Sequence, residues 1–97
     1  MEIVLPKKIR LAGQDVKIEI DDETLWEEGN LGCFYGIANK IKYHSDSRSD
    51  IILHEIIEAI LAYYRGTDKI DHTAIVLLSA CLADVFDQLN IQLKVPK

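Results

Sequence analysis

The sequence predicts an α+β fold, a small antiparallel sheet of three or four strands followed by two packed α-helices. Two patterns predict it. Residues of the first half alternate apolar and polar in short runs broken by Gly, Asn and Asp, the period of half-buried strands. The second half places apolar residues three and four apart over two long runs, the period of helices. Strands first and helices afterwards, with no interleaving, argue for helices laid on one face of an antiparallel sheet.

Each element has a local reason. Ile9-Arg10-Leu11 and Val16-Lys17-Ile18-Glu19-Ile20 alternate around a turn at Gly13-Gln14-Asp15, which makes a hairpin with one wet face. Asp21 to Asn30 is acidic, and Thr24-Leu25-Trp26 reads as a short helical turn or an irregular crossing. Cys33 to Ile37 and Lys40 to His44 read as a second strand pair around Ala38-Asn39. Lys40 and Lys42 at alternate positions suit an exposed sheet edge, where charge discourages aggregation. Ser45 to Ser49 is a polar loop. The strands thus fall within residues 7–44 and the helices at about 50–65 and 71–89. Ser49 or Asp50 is placed to cap the first helix and Gly66 to end it. Asp71 is placed to cap the second, with Asn90 after its last turn. The tail from Ile91 reads as extended or disordered.

A chain of 97 residues is the size of one domain with a modest core. It is 48% hydrophobic and 28% charged, ordinary for a globular protein. A net charge of −5 argues against a nucleic-acid partner, which calls for clustered Lys and Arg. Cys33 and Cys81 are far apart and form no Cys-x-x-Cys pair. They read as reduced thiols of a cytoplasmic protein, with Cys81 a small buried apolar residue. The N-terminus lacks the basic start and long apolar run of a signal peptide, and no run is long enough for a membrane span.

The chemistry concentrates at His54-Glu55-Ile56-Ile57-Glu58. On a helix His54 and Glu58 lie one turn apart on one face, with Glu55 beside them. An ordinary amphipathic helix explains much of this. His54, Glu55, Glu58, Ala62 and Arg65 share one sector, and Leu53, Ile56, Ile57, Ile60, Leu61, Tyr63 and Tyr64 fill the other. Yet the polar stripe holds no Lys between Ile51 and Tyr64, whereas a solvent face mixes both signs. Ile51 projects into the same sector. His72 opens the next helix on the edge of the apolar face formed by Ile75, Leu78, Leu82, Val85 and Phe86, where the positive end of the dipole disfavours an imidazolium; a neutral imidazole is the form that binds metal. An antiparallel helical hairpin across Gly66 to Ile70 returns His72 to the first helix. His44, at a strand end, is a reserve ligand. Two histidines and a carboxylate hold zinc with a position left for water, and a further glutamate takes that water's proton.

The stretch Ile52-Leu53-His54-Glu55-Ile56-Ile57-Glu58-Ala59-Ile60 resembles the active-site helix of minimal zincins, the His-Glu-x-x-His metallopeptidases. It is most similar to small phage and prophage proteins of that type. Asp71-His72-Thr73-Ala74-Ile75 and Leu82 to Asn90 resemble their second helix. The resemblance covers about the last 60 residues. It implies a zincin-like fold, His54 as first zinc ligand and Glu55 as general base. It also implies the Lys40–Tyr43 strand as the edge that holds an extended peptide. Glu58 stands where that pattern has its second His; His54, Glu58 and His72 then rebuild a two-His, one-carboxylate zinc set in another order.

Three functions follow as expectations. The first is a zinc-dependent, metallopeptidase-like hydrolase acting on a peptide or protein, with Tyr63 or Tyr64 near the oxyanion or, more simply, packed in the core. The second is a catalytically inactive zincin-like phage accessory or interaction protein. The third sets Glu55 and Glu58 with Asp84 and Asp87. That pair of acidic motifs resembles the magnesium sites of all-helical nucleotide pyrophosphohydrolases, but Asp84 and Asp87 project away from the apolar face of their helix.

Overall fold

The computed structural model describes residues 1–64 and 70–96. Its elements are β1 (Glu2–Val4), β2 (Lys8–Leu11), β3 (Gln14–Ile20), α1 (Asp22–Glu28), β4 (Gly32–Tyr35), β5 (Lys40–Tyr43), α2 (Ser49–Tyr63), α3 (His72–Gln88) and β6 (Gln92–Lys94). The fold is α+β, with three helices and a four-stranded sheet in the order β2-β3-β5-β4. Both expected hairpins form, β2 against β3 and β4 against β5.

The sheet is mixed, which corrects the antiparallel expectation: β3 and β5 run parallel, with Ile18 opposite Ile41 and Ile20 opposite Tyr43. The reason is α1. Asp21 caps it by accepting from the Thr24 N–H at 3.1 Å, and Gly29 ends it in the left-handed region at φ 73°. This helix carries the chain over before β4 and β5 return. It is a full element where the sequence offered a turn or an irregular crossing. β5 is consequently an inner strand and β4 lies at the edge. Lys40 and Lys42 are not edge guards; they pair with Glu19 at 3.0 Å and Asp21 at 2.6 Å across the parallel junction.

The first hairpin turns at Ala12-Gly13, both at positive φ (50° and 78°), one residue before the expected turn. Two successive positive φ angles match the right-handed strand twist. β1 and β6 form a separate parallel pair, Ile3 opposite Leu93, so the tail is extended.

The core forms where α2 covers the sheet. Val16, Ile18, Ile41, Tyr43, Ile52, Ala59 and Val95 are buried together. Tyr43 is fully buried, and its hydroxyl donates to the Ile52 carbonyl at 2.6 Å, tying the central strand to the helix. α2 starts at Ser49 after Arg48, which supplies no side-chain cap; Ser49 instead accepts from the Leu93 N–H at 3.1 Å. The expected stop, Gly66, and the stripe member Arg65 lie outside the described residues. Asp71 caps α3 as expected, accepting from the Ala74 N–H at 2.8 Å.

α3 packs mainly on α2. Its inner side is Ile75, Ser79, Leu82, Ala83 and Phe86. Leu78 and Val85, expected on that side, are exposed, and so is Cys81, expected to be buried. With one helix as its neighbour, α3 covers only a narrow sector. No helix among the described residues is long and apolar enough to cross a membrane.

Candidate metal centre

α2 and α3 bring His54, Glu58 and His72 together. One donor atom from each lies within 4.8 Å of the others, the one such group among the described residues. Glu58 Oε1 is 3.3 Å from His54 Nε2 and 3.3 Å from His72 Nδ1. The two imidazoles meet edge to face, centroids 4.9 Å apart. The local causes are simple. His54 and Glu58 are one turn apart on α2, and the Asp71 cap starts α3 at His72, level with that turn.

Two of the three donor separations suit zinc. Bonds near 2.0–2.1 Å in a tetrahedron keep ligand atoms about 3.3–3.4 Å apart. Both pairs involving Glu58 already stand at that spacing. His54 and Glu58 are half-buried and His72 is largely exposed, so the centre sits at the surface with an open side. Without a metal the same geometry hydrogen-bonds Glu58 to His72 and keeps His54 within ion-pair range of it.

Glu55 departs from the solvated stripe. Its residue is only 7% exposed, packed against Gly32 of the edge strand β4. Burial is the main cause that raises its carboxyl to about 7; the nearby Glu58 charge adds to the rise, and the Phe34 backbone N–H partly offsets it. A carboxyl held there changes protonation near neutral pH, as a general base requires.

Gly32 makes this placement possible. A Cβ on it would stand 3.1 Å from Ile51 Cγ2, 3.2 Å from Glu55 Cγ and 3.2 Å from Tyr43 Cδ1. Gly32→Ala is expected to lower stability by about 1–3 kcal/mol in urea unfolding; unchanged stability would mean α2 and β4 have room to spare. A lone Gly opening a strand is a sequence sign of close approach, and it was missed as a site determinant.

The remaining candidates sit elsewhere. His44 accepts from the Asp46 N–H at 3.3 Å and lies 3.6 Å from Asp22, outside the centre. Tyr63 donates to Asn39 and packs edge-on against Phe34. Tyr64 is exposed and accepts from the Ala12 N–H at 3.1 Å, so it is not packed in the core. Asp84 and Asp87 are exposed and join neither Glu55 nor Glu58 in a cation-sized group.

A cavity of about 260 Å³ opens directly beside the centre, bordered by Glu58 and His72 and walled by Phe34, Leu61, Ile70 and Ile75. A larger open cleft of about 1070 Å³ runs between residues 45–50 and the C-terminal half of α3, and no member of the centre lines it. No family model, no curated protein and no solved structure matches the chain.

Proposed function

We propose that the protein is a zinc-dependent, metallopeptidase-like hydrolase of the zincin type. His54, Glu58 and His72 would hold the metal and Glu55 would act as general base. The observation that carries the reading is the convergence of these three donors from two helices, with a buried glutamate next to them. The likeness of residues 52–60 to a minimal zincin helix supports it.

Zinc, when bound, supplies a Lewis acid that acidifies water and polarises a carbonyl. The chain does the rest. Glu55 takes the proton of the attacking water and returns it to the leaving amine. β4 replaces Lys40–Tyr43 as the strand that would hold an extended peptide, because β4 is the edge beside α2. The apolar cavity beside Glu58 and His72 would take an apolar side chain next to the scissile bond. Two free cysteines fit a reducing, cytoplasmic setting.

The test is hydrolysis of an unstructured peptide mixture by zinc-loaded protein, read by mass spectrometry. Cleavage beside large apolar residues, stopped by chelator, is expected. Intact peptides under zinc saturation would leave the second reading, an inactive zincin-like accessory protein in which Glu58 has replaced a catalytic ligand. The surface position of the centre on so small a chain is what favours that alternative.

A further inference from the structure

α3 carries a second surface on its far flank. Stepping about 100° per residue, Ala74, Leu77, Leu78, Cys81, Val85 and Leu89 share one sector, roughly opposite His72. All six are exposed, Leu77 and Leu89 at 62% and Leu78 and Val85 at 45% and 47%. Gln88 is the one other residue of that sector, and it is uncharged; Asp84 stands at its rim.

This is not the pattern of a solvent-facing helix. The stripe exposes on the order of 400 Å² of apolar surface, the size at which a contiguous patch on a monomer marks an interaction site. A stable pair buries about 800 Å² per partner, with an apolar centre and a polar rim. The stripe supplies the centre of such an interface and falls short of the whole, as it should.

The arrangement is self-complementary. Its midpoint falls between Cys81 and Leu82, with Leu78 and Val85 at equal steps on either side and Ala74 and Leu89 one turn further out. Set antiparallel against itself about the point between Cys81 and Leu82, the stripe puts Leu78 on Val85 of the second copy and the small Ala74 on the large Leu89. The small Cys81 stands at the crossing, where the axes come closest. A two-fold pair requires this kind of self-matching patch. Opposed helix dipoles favour the antiparallel sense. We propose that two copies of this chain associate through the 74–89 flank of α3, with Cys81 next to the two-fold axis and both metal centres facing outward.

Sedimentation velocity of the full chain, from micromolar to submillimolar concentration, tests the pairing. A dimer with micromolar dissociation constant is expected. Val85→Glu and Leu89→Glu each place a charge in the contact and are expected to weaken it about 100-fold. Both residues are exposed, so unchanged far-UV circular dichroism is expected, and zinc content should not change because the stripe lies away from the centre. A short bismaleimide should link two wild-type chains, and Cys33→Ser chains equally, but not Cys81→Ser chains. A monomer at every concentration overturns the proposal, including one whose stripe instead takes the protein onto lipid vesicles. So does a dimer that survives Val85→Glu and fails to link through Cys81.

Discussion

Glu55→Gln is expected to cut peptide turnover about 10²–10⁴-fold, the usual contribution of a positioned general base, while bound zinc stays the same. Undiminished turnover would remove Glu55 from the mechanism. The substitution carries a second, opposite effect on stability, which separates a catalytic loss from a folding loss. The carboxyl is raised from 4.5 to about 7 in the folded chain, chiefly by burial. Below pH 4.5 it is neutral in both states and costs nothing. Between 4.5 and 7 the unfolded chain releases the proton and the folded chain keeps it, so stability falls as pH rises. Above 7 the buried charge is present in full. A shift of that size, in which the offsetting Phe34 N–H is already counted, corresponds to roughly 3 kcal/mol. Glu55→Gln should therefore be more stable than wild type by roughly that amount at pH 8, and equal to it near pH 4. Urea unfolding in chelator at both pH values reads this directly. Equal stability at pH 8 would mean that Glu55 is solvated.

Zinc itself is expected to give the other large effect. A ligand that binds only the folded chain stabilises it by about 4 kcal/mol at a free concentration 1,000 times its dissociation constant. Wild type and Glu55→Gln should both gain on that scale. His54→Ala and His72→Ala should gain little, because one lost donor leaves a two-ligand site. A thermal or urea midpoint indifferent to zinc, with His54 intact, would count against the centre.

How far the chain could be read in advance depends on the range of the interaction that decides each feature. Local signals were sufficient for both hairpins, for α2 and for α3 with its Asp71 cap, because those are set by alternation, helical period and a side chain capping its own first turn. The joining of His54, Glu58 and His72 was legible for a similar reason. It needs only an i,i+4 pair and a short return between adjacent helices. Strand order was not legible. The hairpin β4–β5 can dock on β3 by either strand, and the sheet took β5, with Lys42 pairing Asp21 and Ile41 entering the core opposite Ile18. Alternating lysines look the same on an edge and on a charge-paired inner strand.

Burial of single residues was the other blind spot. Glu55 shares a helical sector with His54 and Glu58, yet it is covered because Gly32 lets β4 come close. That depends on a residue 23 positions earlier in the chain, beyond any helical-period argument. Cys81, Leu78 and Val85 show the converse. Their apolar character pointed to a buried face, but α3 has one helix to pack on and uses Ile75, Leu82 and Phe86 for it. A period identifies an apolar flank without saying whether the chain's own core or a second molecule covers it.

The central claim is a metal held by His54, Glu58 and His72, and elemental analysis of the untagged protein tests it most directly. Wild type and His54→Ala would be incubated with zinc, dialysed and measured side by side. The account predicts one zinc per wild-type chain and essentially none in His54→Ala. A wild-type chain that emerges without zinc would contradict it, leaving Glu58 as a hydrogen-bond partner of His72 beside His54.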